Sequence, residues 1–262
     1  MHAASYHLRA VPLPDGDAPV DLWVAGGRLT FQPQAGAEPL GPDGGYLLAG
    51  LVDCHVHLTL DPGRSGLPPG SPDLINANRR RHRDAGVLLV RDIGAVNDAP
   101  LGLAADGELP RVHPAGRFLA PADGYGGAQH VATPGDLAAV AAALVAAGAE
   151  WVKVIADWPR GGSRERLPAL HQGVANYPEQ ALSEAVAAVH RAGGRLAVHA
   201  ITRAGVLVGV GAGVDSVEHA TDADEAIVRQ MAARGIAWTP TLASLRACLL
   251  YTSDAADDLT RV

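Results

Sequence analysis

Lysine is almost missing from this chain. Of its 21 basic residues 20 are arginine, and Lys153 is the one lysine. Such a bias, together with an excess of alanine, reflects a GC-rich coding sequence. With arginine as the default surface cation, a solitary lysine asks for a chemical reason that a guanidinium cannot meet. Cysteine is scarce as well: Cys54 and Cys248 cannot build a disulfide framework. Positive charge is outweighed, leaving a formal net charge of -7, and this argues against nucleic acid as a main partner. Long apolar runs are absent. The most apolar stretch, 137–149, is alanine-rich and too short to span a bilayer. Residues 1–16 hold no apolar run of the kind a signal peptide needs. A cytoplasmic protein with no membrane partner is therefore expected. There is also no ATP-type phosphate loop and no Gly-x-Gly-x-x-Gly following a strand.

What is present reads as a soluble globular protein, 48% hydrophobic and 19% charged. Residues 1–48 carry short strand patterns at 5–11, 20–24 and 28–31, separated by Gly- and Asp-Gly-rich turns. From Leu51 strand-like and helix-like runs alternate, which predicts a parallel sheet covered by helices. Strands are expected at 51–57, 87–93, 117–120, 151–156, 196–199, 214–219 and 236–239, seven by Thr239. Helices are expected at 72–85, 134–147, 178–192, 202–210 and 222–234.

The chemistry-bearing residues sit on those strands. In Leu51–His57, residues i and i+2 share a face, so His55 and His57 point the same way with Asp53, while Cys54 and Val56 face the helices. Two imidazoles about 7 Å apart can close on one metal where a strand end splays. A lone His-x-His is as well explained by two hydrogen-bonded, half-buried histidines. The Pro/Gly-rich loop 61–72 puts this pair at the C-terminal end of a strand, where barrel enzymes keep their sites. Lys153 lies in an apolar strand, where an unpaired ammonium would be costly. Its amine is neutral, or paired with an acid such as Asp157, or converted by CO₂ to a carbamate. That anion could bridge two cations, and arginine cannot form it. His199 and His219 each end a strand. Three strands ending in histidine, with a lysine on a fourth, point to a metal site. His130, after a Gly-Gly turn, could reach a substrate. Arg160, Arg164 and Arg166 could meet a substrate carboxylate, though a solvated loop explains each of them as well.

The set His55-x-His57, Lys153, His199 and Glu218-His219 resembles the amidohydrolase superfamily of metal-dependent hydrolases. Val90-Arg91-Asp92, the Gly-Gly…His130 loop and Pro240-Thr241-Leu242 look like its imidazolonepropionase-like and dipeptidase-like branch. The resemblance covers about residues 48–245. It implies an α/β fold: a (β/α)₈ TIM-type barrel at 49–247, incomplete at about seven strands, and a small β-sandwich portion at 1–48. It further implies a two-metal centre. His55 and His57 would hold one ion, His199 and His219 the other, and carbamylated Lys153 would bridge them as part of the catalytic apparatus. A hydroxide between the ions would attack a carbonyl. Zn²⁺ suits these ligands, and other divalent metals are admissible. The implied reaction is hydrolysis of an amide or peptide C–N bond in a small amide, cyclic amide or dipeptide-like substrate. The alternatives are a mononuclear deaminase or cyclic amidase of the same fold, or a non-catalytic binding relative. A homo-oligomer is compatible with all of these.

The family pattern also asks for an aspartate at the end of an eighth strand, and no such strand is visible. Asp254, Asp257 and Asp258 follow Thr239 too soon to supply it. Residues Leu249–Asp257 match a translated transposase adaptor of the kind used in sequencing libraries, so 248–262 are expected not to be native protein. On that reading the chain as written is aggregation-prone and inactive, with exposed strand edges.

Overall fold

The structure is a computed structural model, and it describes residues 4–61, 65–103, 107–122, 124–125, 130–158 and 175–242. The chain divides into two compact units at Leu51 and Val52.

In the first unit β1 (Tyr6–Pro12) pairs antiparallel with β2 (Val20–Ala25), and β2 pairs antiparallel with β3 (Arg28–Thr30). The β2–β3 turn is Gly26-Gly27, with φ of 56° and 74°. Both values are open to glycine without cost, and they match the twist of a two-residue hairpin. On its other side β1 pairs parallel with β4 (Glu38–Pro39) and β5 (Gly45–Leu47). Among the described residues this unit is one five-stranded sheet. The second layer that a sandwich requires is not among them.

Among the described residues the second unit carries nine strands and five α-helices. They begin with β6 (Leu51–Val56), α1 (Pro72–Asp84), β7 (Val87–Asp92) and β8 (Arg111–Pro114). Then come β9 (Leu119–Ala120), β10 (His130–Val131), α2 (Leu137–Ala146) and β11 (Trp151–Ile155). The run ends with α3 (Glu179–Arg191), β12 (Arg195–Ala200), α4 (Arg203–Ala212), β13 (Ser216–His219), α5 (Glu225–Ala233) and β14 (Ala237–Thr239). The strands form two sheets, β6-β7-β8 and β10-β9-β11-β12-β13-β14.

The third strand differs from the sequence expectation. The strand expected at 117–120 shrinks to β9, and β8 precedes it. Gly116, at φ 67°, bends the chain between them, so one strand is laid down as two short pieces. The ladder bridges the bend: Ala115 N–H donates to Asp92 O, Phe118 N–H to Ala95 O, and Glu150 N–H to Pro114 O. Arg91 on β7 reaches Glu218 on β13 and Thr239 on β14, so the strands curve around a shared interior. The described strands do not close, and β6 and β14 remain edges.

Side-chain caps begin α1, α4 and α5. Ser71 accepts from Leu74 N–H ahead of Pro72, Thr202 from Gly205 N–H, and Asp224 from Ile227 N–H. The apolar stripes of α3, α4 and α5 pack on one face of the sheet. Leu182, Val189, Val206, Val210, Ile227 and Met231 join Val152, Val154, Leu196, Val198 and Val217 in the main core. A fully buried leucine or valine there contributes about 1.5–3 kcal/mol.

Candidate metal centre

Alternation along the strands decides what faces the interior. On β11, Val152 and Val154 face the helices, so Lys153 and Ile155 face the other way. On β12, Leu196 and Val198 face the helices and His199 does not. On β13, Val217 faces them, which turns Ser216 and Glu218 inward. His219 should then point outward with Val217. It does not, because its backbone is left-handed at φ 73°, followed by Ala220 at φ 48°. A non-glycine residue there costs on the order of 1 kcal/mol, and the turn brings the His219 imidazole back to the interior.

Four imidazoles meet as a result. Ring centroids are 5.0 Å apart for His55–His57, 5.0 Å for His55–His219 and 4.6 Å for His199–His219. Phe118 lies 5.2 Å from His57, and Trp158 lies 5.5 Å from His199. Tyr125 fills the gap between these two aromatics, at 4.9 Å and 4.6 Å. The cluster thus has an aromatic wall.

Hydrogen bonds orient the rings. His57 Nδ1 lies 2.9 Å from Gly94 O, and a carbonyl can only accept, so Nδ1 carries the proton. His55 Nδ1 lies 2.7 Å from Glu218 Oε2. His219 Nδ1 meets Thr241 Oγ at 2.7 Å. His199 Nε2 is buried with no hydrogen-bond partner among the described residues, and Asp157 Oδ1 stands off at 3.9 Å. Asp157 is instead spent on the Ile201 and Thr202 N–H groups and the Thr202 hydroxyl, so it does not pair with Lys153. Asp53 shares the strand face but turns to His82 at 3.5 Å and to the His55 N–H.

Electrostatics favour neutral imidazoles. Burial, then the charges of His55 and Lys153, pushes His57 down to about 3. Burial and Lys153 bring His219 to about 3. Burial also lowers His55 and His199. Lys153 is 1% exposed, and burial pulls its ammonium down to about 8, against the charge of Glu218. Burial opposes ionisation of Glu218. The hydrogen bond from His55 and the charges of Lys153 and Arg91 outweigh it and hold the carboxyl well below its usual range.

These residues suit a divalent cation in chemistry. Neutral imidazoles with Nδ1 tied to acceptors leave Nε2 lone pairs free, and His199 Nε2 is a buried polar atom with no hydrogen-bond partner among the described residues. As placed, no group of three or more His, Cys, Asp or Glu among the described residues could hold a metal ion.

The remaining expected site residues are not in the cluster. His130 lies exposed on β10, its N–H donating to Phe118 O. Arg160, Arg164, Arg166 and the tail 248–262 lie outside the described residues. Sequence reasoning gave no role to Glu218 or Thr241, although both stand in the motif segments that carried the resemblance.

No protein-family model matches the chain. Uncharacterized proteins of Mycobacterium tuberculosis and Mycobacterium bovis are 33% identical over 245 residues, 93% of this chain and 62% of theirs. The chain thus spans about three-fifths of the length of these curated relatives. Among solved structures, A. niger ochratoxinase matches with a TM-score of 0.71 at 18% identity, over 96% of this chain and 68% of that one. An Xaa-Pro dipeptidase with methionine in its active site gives 0.69 at 18%, over 92% and 67%. A prolidase complexed with N-methylphosphonate-L-proline gives 0.71 at 21%, over 91% and 66%. What this chain shares with these three hydrolases is their α/β fold.

Proposed function

We propose that this chain belongs to a metal-dependent hydrolase of the amidohydrolase superfamily, acting on amide or peptide C–N bonds. One observation carries the reading: four imidazoles, from β6 and the residue just beyond it, β12 and β13, gather within reach of the charge of the only lysine of the chain at the C-terminal ends of parallel strands. Such strand ends are where α/β enzymes of this layout work. Zn²⁺ ions, two in number, would supply a nucleophilic water at neutral pH and polarise the scissile carbonyl.

His55 and His57 would hold one ion and His199 and His219 the other, with Lys153 as the bridge. Because burial brings Lys153 to about 8, its free amine is far more abundant near neutral pH than that of a surface lysine. The free amine adds CO₂, forming one N–C bond and releasing one proton, and the product is the anionic carbamate. The fold shared with a prolidase and an Xaa-Pro dipeptidase supports a dipeptide-like substrate.

The test uses the purified protein supplied with Zn²⁺ and bicarbonate. Elemental analysis should find two Zn²⁺ per chain, and N-acyl amino acids and Xaa-Pro dipeptides should be hydrolysed. Lys153→Met should lose at least one ion and the turnover. Protein that takes up no divalent metal refutes the reading, as does a Lys153→Met variant that keeps two ions and full activity. One ion per chain, with activity indifferent to Lys153, would point to a mononuclear deaminase or cyclic amidase.

A further inference from the structure

We propose that Glu218 is a positioning residue that sets the tautomer of His55 and so presents the Nε2 lone pair of that ring to a divalent cation. The proposal rests on the metal-site reading above. Glu218 is fully buried, and each of its oxygens is committed. Oε1 accepts from Arg91 Nη2 at 2.7 Å and from Ser216 Oγ at 2.6 Å. Oε2 lies 2.7 Å from His55 Nδ1.

A guanidinium can only donate, and an ionised carboxylate can only accept, so the proton between Oε2 and Nδ1 belongs to the imidazole. A neutral imidazole with its proton on Nδ1 carries its lone pair on Nε2. His57 is set the same way by Gly94 O, a backbone group that no substitution removes. Glu218 is therefore the side chain through which the tautomer of the His-x-His pair can be changed.

The carboxylate is held by a built bracket. Arg91 Nε donates to Cys54 O at 2.6 Å, and its Nη2 also donates to Thr239 Oγ at 3.0 Å. Its guanidinium lies 4.5 Å from the Trp151 ring centroid. Arg91 thus joins β6, β7, β11, β13 and β14, and Glu218 cannot drift from His55 without breaking that set.

The conservative variant makes a sharp test. Glu218→Gln keeps the shape but has one accepting oxygen and one donating NH₂. Arg91 and Ser216 both donate on one side, so the amide oxygen turns to them and the NH₂ meets His55 Nδ1. The ring must then accept at Nδ1 and carry its proton on Nε2, the atom the cation needs.

Side-chain ¹⁵N NMR of metal-free protein labelled at histidine reads this directly. Wild-type His55 should be protonated at Nδ1 and Glu218→Gln at Nε2. Glu218→Asp keeps an acceptor-only group and should keep the wild-type tautomer. Zn²⁺ affinity, measured with the metal alone, should fall about 10–100-fold in Glu218→Gln and recover in part in Glu218→Asp. The wild-type spectrum needs no variant to fold: His55 protonated at Nε2 there overturns the proposal. Wild-type protein that binds Zn²⁺ while Glu218→Gln keeps both tautomer and affinity overturns it too, and leaves the metal-site reading standing. Wild-type protein that binds no Zn²⁺ overturns the reading on which both rest.

Discussion

Asp92 should make the stability of this protein fall as pH rises. It ends β7 with a completely buried side chain. Oδ1 accepts from Leu58 N–H at 3.2 Å, and Oδ2 has no hydrogen-bond partner among the described residues. Burial outweighs that single hydrogen bond and pushes the carboxyl up from 3.8 to about 7. Between those values the folded chain keeps a proton that the unfolded chain has lost, so unfolding becomes easier with rising pH. At about 1.36 kcal/mol per pH unit the loss comes to about 4 kcal/mol between pH 4 and pH 7, with no further loss above. Asp92→Asn stays neutral throughout, and its amide oxygen can still accept from Leu58. Urea unfolding followed by tryptophan fluorescence, repeated from pH 4 to pH 8, gives the comparison. The difference between the two proteins isolates Asp92 from every other titrating group. Asn should be close to wild type at pH 4 and more stable by a few kcal/mol at pH 8. Parallel curves across that range, or a variant weaker at pH 8, would refute the reasoning.

Two further substitutions probe the framework around the cluster. A Cβ at Gly205 would sit 2.1 Å from Asp157 Oδ2 and 2.6 Å from its Cγ. Gly205→Ala should therefore drive the carboxylate off the Ile201 and Thr202 N–H groups and cost on the order of 2–4 kcal/mol; a thermal midpoint equal to wild type would contradict this. The Tyr177 hydroxyl donates to Ala132 O at 2.9 Å inside the main core. Tyr177→Phe should cost about 1–2 kcal/mol in urea unfolding, and an unchanged midpoint would show that the bond contributes nothing.

Much of the fold was legible because strand and helix periods are local. The two-residue alternation on β11 and β12 sorts Lys153 and His199 from their apolar neighbours without any structure. Capping residues and glycines mark the helix ends to within a few residues. The split of the third strand was not legible: the bend at Gly116 falls in a Pro-Ala-Gly stretch that reads as a turn, and nothing in the pattern of Arg111–Pro114 announces a strand ahead of it. The orientation of His219 was not legible either. Alternation puts it on the helix face, and no glycine announces the left-handed backbone that turns it inward. Glu218 stayed without a role because its partner His55 is 163 residues away, and a carboxylate beside a histidine in sequence says nothing of a bond to a different histidine.

The charge of the interior joins these parts. With Lys153 as an ammonium, the cations acting on buried Glu218 are Arg91 and Lys153, and this trio sums to +1. A cation entering among the four neutral histidines would meet that repulsion, which at 4 Å and an effective dielectric near 20 is about 4 kcal/mol per unit charge. Carbamate formation reverses the sign at Lys153 and takes the same set to -1. Arginine at that position would hold this trio at +1 at every accessible pH. Glu218 cannot substitute for the reversal, because its oxygens already accept from Arg91 and Ser216 and meet His55 Nδ1. On the reading proposed above, the single lysine of an arginine-rich chain stands at a buried position where its side chain can change the sign of its charge.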